Sequence, residues 1–280
     1  MDLSPLNVAL RRDGRVCELT FDHGKANEVG TDVLRALEDL VRWLEAEPAI
    51  QVLVSRSTKQ SRRGTPIFVA GADVSERAGW TDQQVITHVA WQRGVLDRVR
   101  NLPLLHVACI DGVAFGWGTE WTLTADVVLA GPSARFALPE TGLGIVPGAG
   151  GTGLLARRIG QAQALRLGLT GEVLDAAAAM RTGLAQEAFE EADAMQARVD
   201  QLIDGALRRS PTANALYKMA VLATGDDPAR ALELEANAYA RCVTSGEAAR
   251  GREQFAAARR GDPVRWPPRQ AGLVSRSDEG

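Results

Sequence analysis

Three segments combine small residues with groups able to handle charge or protons. In IFVAGADVSE, residues 67–76, an apolar run leads into Gly71, Ala72 and Asp73. Small residues let a ligand approach the backbone closely, and N–H groups leaving a strand end can point at a ligand oxygen. An ordinary strand-to-helix turn has the same appearance. In DGVAFGWGTEWTLTAD, 111–126, a glycine-rich turn at Gly116 and Gly118 opens a short helix with Glu120 in its first turn. The free N–H groups and positive dipole end there suit a developing oxyanion. A glutamate at that position also has the plainer role of complementing the dipole. In RFALPETGLGIVPGAGGTG, 135–153, Glu140 follows Pro139 and is trailed by Gly142 and Gly144, which places it on a loop.

The third segment ends in GAGGTG, Gly148–Gly153, with Glu172 further on. This matches G-x-G-x-x-G with an acid roughly 20 positions later, the spacing of a dinucleotide fingerprint. That site needs a solid strand before the first glycine and a second strand ending at the acid. Here the preceding stretch is broken by glycine and contains Pro147, and ARRIGQAQALRLGLTGE reads as helix. A nicotinamide site is therefore disfavoured.

The elements that must hold these segments can be read from pattern. Asn7–Arg11 and Arg15–Phe21 form strands around Asp13-Gly14. Thr31 caps a helix with Leu37, Leu40, Val41 and Leu44 on one face, and Pro48 ends it. Gln51–Ser55 is a strand, followed by a polar loop over 56–66 and the short strand IFVAG. Thr81 and Gln84 form a capping box for a helix reaching Asn101. LLHVACI (104–110) and VVLA (127–130) are buried strands. From Gly151 onward the texture is almost wholly helical, with Ser210-Pro211 and Asp227-Pro228 as cap-plus-proline starts. The expected organisation is a mixed α/β core over 1–190, a helical region over 191–261 and a loosely ordered tail over 262–280.

Composition narrows the function. The 280 residues carry a formal net charge of -3, without the basic excess of a nucleic-acid binder. Three scattered cysteines and three histidines show no metal-ligand spacing, so no metal is expected. No apolar run is long enough for a bilayer span, and the start does not resemble a signal peptide. The reading is a cytoplasmic protein with no membrane partner.

In order and spacing, the three segments resemble the crotonase (enoyl-CoA hydratase/isomerase) superfamily, over residues 7 to about 260. F-x-A-G-A-D appears as Phe68–Asp73. G-x-A-x-G-G-G-x-E appears as Gly112–Glu120, with Trp117 replacing the middle glycine. F-x-x-P-E appears as Phe136–Glu140, then G-x-x-P-x-x-G-G as Gly144–Gly151, and L-T-G as Leu169–Gly171. The resemblance implies an α/β spiral of ββα repeats with a helical C-terminal trimerisation region, assembling as a homotrimer or dimer of trimers. It implies an acyl-CoA thioester substrate and no cofactor, coenzyme A being part of the substrate. The backbone N–H groups of Ala72 and Trp117 would hold the thioester oxygen. Lys25, Ala26, Ala70, Gly71, Asp73, Gly116 and Gly148 would contact substrate or CoA.

Hydratases of the family carry two glutamates that hold one water, and both positions are filled, by Glu120 and Glu140. The reaction implied is addition of water across the C2–C3 double bond of a 2-enoyl-CoA. Isomerase, dehydratase or lyase chemistry on the same glutamates is the alternative, and a catalytically silent acyl-CoA-binding scaffold is another. The indole of Trp117 either fills acyl space or turns into the core. Arg56, Lys59, Arg62 and Arg63 either meet CoA phosphates or form a solvated loop. Where the family has a lysine three residues after a phenylalanine, Phe255 is followed by Ala258, with Arg259 or Arg260 as substitutes. Val85, Ile86, Val89 and Trp91 stand where the family forms its acyl pocket.

Overall fold

The computed structural model describes residues 3–223, 228–260, 262 and 264–270. Strands β1 (Asn7–Arg11) and β2 (Val16–Phe21) pair antiparallel across a turn in which Arg12, Asp13 and Gly14 all have positive φ. Helix α1 (Thr31–Ala46) packs Leu34, Leu37, Leu40, Val41 and Leu44 inward. Its N-cap is Gly30, not Thr31, and no side chain of its own caps it. The Thr31 N–H instead donates to Glu76 Oε2 at 2.9 Å, so a carboxylate 45 residues away does the capping.

Three strand-pair units follow: β3 (Val52–Ser57), β4 (Ile67–Val69) and α2 (Asp82–Arg100); β5 (Leu105–Ile110), β6 (Val113–Phe115) and α3 (Trp117–Thr122); then β7 (Val127–Ala130) and β8 (Arg135–Ala137), leading through a 3-10 turn at Glu140–Leu143 to α4 (Gly153–Ile159). The first strand of each unit joins one sheet and the second joins another. With β9 (Leu174–Asp175) and β10 (Glu187–Ala188), the sheets run β1-β2-β3-β5-β7-β10 and β4-β6-β8-β9. Within each sheet the strands from successive units pair parallel. This is the ββα spiral expected from the resemblance.

The large sheet is covered on both faces, as parallel sheets require. Along its strands the side chains alternate with a period of two. Cys17, Leu19, Phe21, Leu53, Ala108, Ile110, Val128 and Ala130 face one core, shared with α1 and α2. Val16, Val52, Val54, Val107, Cys109 and Leu129 face the other, covered by Met195, Val199 and Ile203 of α7. The Thr81–Gln84 capping box at the start of α2 is formed.

Helices α5 (Gln161–Thr170) and α6 (Ala176–Thr182) lead into the helical region: α7 (Ala192–Leu207), α8 (Pro211–Ala223), α9 (Pro228–Thr244), α10 (Glu247–Glu253) and α11 (Phe255–Arg260). Ser210 accepts the Ala213 N–H at 3.0 Å, as its cap position predicts. Asp227 and the side chains of Ala258 and Arg259 lie outside the described residues. Lys218 ties α8 to the core, reaching Asp126 at 2.8 Å and the Leu104 carbonyl at 3.0 Å. The described part of the expected loose tail, 264–270, is irregular but fastened. Trp266 Nε1 donates to the Arg208 carbonyl at 3.0 Å, and the Arg269 backbone N–H to that of Pro48 at 3.0 Å. No helix among the described residues is long and apolar enough to cross a membrane.

One close approach sets the position of α3. A Cβ on Gly118 would lie 2.2 Å from the Val69 carbonyl oxygen at the end of β4. The obstacle is backbone and cannot swing away. Gly118→Ala is expected to destabilise the fold by about 2–3 kcal/mol. Gly153→Ala, which meets open space, is expected to be neutral or mildly stabilising. Denaturant unfolding of both variants against the parent checks the contrast.

Candidate functional site

The turn after β4 is shaped by Gly71, whose φ of +139° is readily reached only without a Cβ. The Val29 N–H donates to the Gly71 carbonyl at 2.9 Å and the Asp73 N–H to the Val29 carbonyl at 3.0 Å. Between them, the Ala72 N–H has no acceptor among the described residues. The turn into α3 is shaped by Gly116, with φ +51° and ψ −117°. Trp117 is the first helical residue, ahead of the first internal bond from the Glu120 N–H to the Gly116 carbonyl. Its own N–H is one of the orphan donors that every helix start leaves. Both N–H groups thus sit at turns that the sheets bring side by side through the β4–β6 pairing.

Glu120 is 3% exposed. Its Oε1 accepts the N–H groups of Ala149 at 2.7 Å and Gly151 at 2.9 Å. Burial pushes its carboxyl above the usual range, and these two donors oppose the shift. The GAGGTG run therefore clasps a carboxylate of the chain itself. Gly151 is needed there because a Cβ would stand 2.5 Å from Pro147 Cβ. The other half of the dinucleotide pattern is spent elsewhere, since Glu172 pairs with Arg166 at the surface.

Glu140 begins the 3-10 turn, not an open loop, and is 9% exposed. Its Oε1 lies over Gly116, where a Cβ would be 2.7 Å away, and its Oε2 is buried with no hydrogen-bond partner. Burial, with some repulsion from Glu120, pushes its carboxyl up to about 7. The two acids therefore differ in support. Two backbone donors hold Glu120, and one oxygen of Glu140 is left bare.

A cleft of about 240 Å³ collects Ala70, Gly71, Ala72, Gly116, Trp117, Glu120, Glu140 and Gly148. Three residues named from the sequence do not line it. Lys25 is exposed. Ala26 sits one bond behind, its carbonyl accepting the Ala70 N–H at 3.1 Å. Asp73 is spent on the next turn, accepting the Ser75 N–H at 2.9 Å and its hydroxyl at 2.5 Å. The Trp117 indole is 2% exposed and stacks on Trp121 with centroids 5.4 Å apart, so the ring belongs to the core while its residue borders the cleft.

Of the four apolar residues proposed for the acyl pocket, Val89 lines the cleft. Ile86 faces solvent, and Trp91 packs on the core with its N–H on Glu38 at 3.2 Å. The sequence reading missed Val74, Arg77, Gln92, Leu143, Ile145 and Val146 as lining residues. Apolar types among the glycines of 142–148 were the available signal for the last three. In the basic loop, Arg56 is held by Gln196 and Lys59 by Asp22, while Arg62 and Arg63 are exposed. A larger cavity of about 690 Å³ lies between the core and α7–α8, away from both glutamates. No group of metal-ligating side chains occurs among the described residues.

The chain is similar to known proteins along most of its length. The enoyl-CoA hydratase/isomerase family profile matches residues 11–262. The mitochondrial methylglutaconyl-CoA hydratase of Rattus norvegicus is 33% identical over 254 residues, covering 89% of this chain and 76% of that protein. The short-chain-enoyl-CoA hydratase of Clostridium acetobutylicum is 32% identical over 176 residues, covering 61% and 64% respectively. An enoyl-CoA hydratase from Bacillus anthracis superposes with a TM-score of 0.85 at 27% identity, over 93% of this chain and 98% of that one. A structure described as a putative enoyl-CoA hydratase from Streptomyces coelicolor A3(2) gives 0.83 at 29% identity, over 96% of each chain. Spiral core, glycine-shaped turns and matched sequence agree: the chain belongs to the enoyl-CoA hydratase/isomerase, or crotonase, family.

Proposed function

We propose that the protein is an enoyl-CoA hydratase, adding water across the C2–C3 double bond of a 2-enoyl-CoA. The observation that carries this reading is one cleft lined by two differently supported glutamates and by two residues with uncommitted N–H groups. The N–H groups of Ala72 and Trp117 receive the thioester oxygen and stabilise it as negative charge develops; one such donor is typically worth about 3 kcal/mol. Glu120, kept chargeable by its two backbone donors, takes a proton from water as the oxygen attacks C3. The π electrons move onto the thioester as an enolate. Glu140, protonated up to near neutral pH, delivers the proton to C2 and restores the carbonyl. Acid, base and oxyanion support all come from the chain, so the proposal names no cofactor.

The relatives' names give two different acyl groups, methylglutaconyl and short-chain enoyl, which share the 2-enoyl thioester. A homotrimer or dimer of trimers is part of the same proposal. It is supported by exposed apolar side chains on the helical region, among them Tyr217, Leu232 and Tyr239.

Hydration of crotonyl-CoA and of a longer 2-enoyl-CoA, followed by loss of conjugated-thioester absorbance, tests the assignment. Glu120→Ala and Glu140→Ala are each expected to lose about a hundredfold or more in kcat. An active wild type whose variants lose little would exclude the paired-acid mechanism. Hydration also needs Glu140 protonated. Its kcat/KM should fall roughly tenfold per unit above about pH 7, and this limb should vanish in Glu140→Gln. Stability should respond in the opposite sense for that variant. Folding raises the Glu140 pKa from 4.5 to about 7, so the native state holds a proton that the unfolded chain releases. Stability is therefore lost as pH rises across that window. Glu140→Gln should be more stable than the parent at about pH 8, by on the order of 2 kcal/mol. Thermal unfolding should show that difference closing on acidification.

A further inference from the structure

One cationic side chain lines the cleft, and the hydration steps leave it unused. Arg77 ends the turn Ser75–Arg77, just past the Gly71–Ala72 segment. Its Nε is buried with no hydrogen-bond partner. No ion pair involves it among the described residues. Of the carboxylates beside it in sequence, Asp73 accepts from Ser75, and Glu76 Oε2 accepts the Thr31 N–H at 2.9 Å while its Oε1 is buried without a hydrogen-bond partner. Its neighbours in the wall are Val74, Val89 and Gln92.

A neutral acyl chain laid along this wall would strip water from a guanidinium and offer it nothing in return, which is costly. A carboxylate at the far end of the chain offers two acceptor oxygens to the guanidinium fork. Without Arg77, that carboxylate would share the cleft with Glu120 and have no lining cation to meet it. Resting on the hydratase reading, we infer that the acyl group carries a second carboxylate and that Arg77 binds it, making Arg77 the specificity-determining residue of the site. The other anion within a CoA thioester is phosphate. Arg77 shares its cleft with the glutamates and apolar side chains, which favours the acyl end.

Binding of saturated thioesters separates the possibilities without needing turnover. Dissociation constants for glutaryl-CoA and valeryl-CoA, equal in chain length, would be measured by calorimetry on wild type, Arg77→Met and Arg77→Lys. Wild type should bind glutaryl-CoA at least tenfold more tightly. Arg77→Met should erase that preference while leaving valeryl-CoA unchanged or tighter, and Arg77→Lys should keep part of it. A wild type with no preference overturns the inference. So does an Arg77→Met variant that weakens both thioesters equally, the mark of a CoA-phosphate contact or a purely structural arginine. Hydration of glutaconyl-CoA and 2-pentenoyl-CoA runs in parallel. Retained binding preference with no hydration would sink the hydratase reading alone; hydration without any binding preference would sink this inference alone.

Discussion

Two buried carboxyl groups must share one cleft, and most of the local structure follows from that constraint. A buried carboxylate is expensive unless hydrogen bonds replace its lost water. Glu120 receives that replacement from the backbone of Ala149 and Gly151. The donors can reach it because the glycine-rich run after Pro147 folds tightly over α3. Glu140 receives no such pair: its Oε2 has no hydrogen-bond partner, and burial pushes its carboxyl up to about 7. The difference in support between the two is thus made by backbone placement, because the two side chains are chemically identical.

The two-sheet spiral lets this placement be made accurately. Each unit delivers its second strand to the small sheet, and the turns leaving β4 and β6 become neighbours. The 2.2 Å approach of a notional Gly118 Cβ to the Val69 carbonyl shows how little play remains. Behind α3, Trp121 donates to Ser55 Oγ at 3.0 Å, and His106 meets the same hydroxyl at 2.9 Å. His106 is fully enclosed and burial depresses its pKa to about 3, so it serves this network as a neutral ring. The helix that carries Glu120 is therefore pinned at its glycine face and at its aromatic face.

Much of this was legible in the residues. The apolar run Val52–Val54 within the strand Gln51–Ser55, the capping box at Thr81 and the spacing of the glycine turns are local signals, and local signals survive folding. Contacts distant in sequence were not legible. The residue type of Thr31 suits a cap, yet Glu76 supplies the acceptor and Gly30 takes the cap position. Asp73 belongs to the best-matched segment but serves the following turn. Arg77 and Gln92 enter the cleft from a turn and a helix whose angle no periodicity specifies. GAGGTG is disfavoured as a dinucleotide site from the sequence, but its actual partner is a distant contact: the Ala149 and Gly151 N–H groups donate to Glu120 of the same chain.

The tryptophan at 117 has one more consequence. Its indole lies nearly parallel to that of Trp121, at an interplanar angle of 28° and 5.4 Å between centroids. Two stacked indoles locked in a chiral, water-free setting couple their electronic transitions, and such signals in the near ultraviolet depend on fixed tertiary packing. Because Trp117 also borders the cleft, the chain carries a built-in chromophore pair at the wall where substrate would sit. The substitution that breaks the family's glycine run thereby gives this protein an optical readout of its own site.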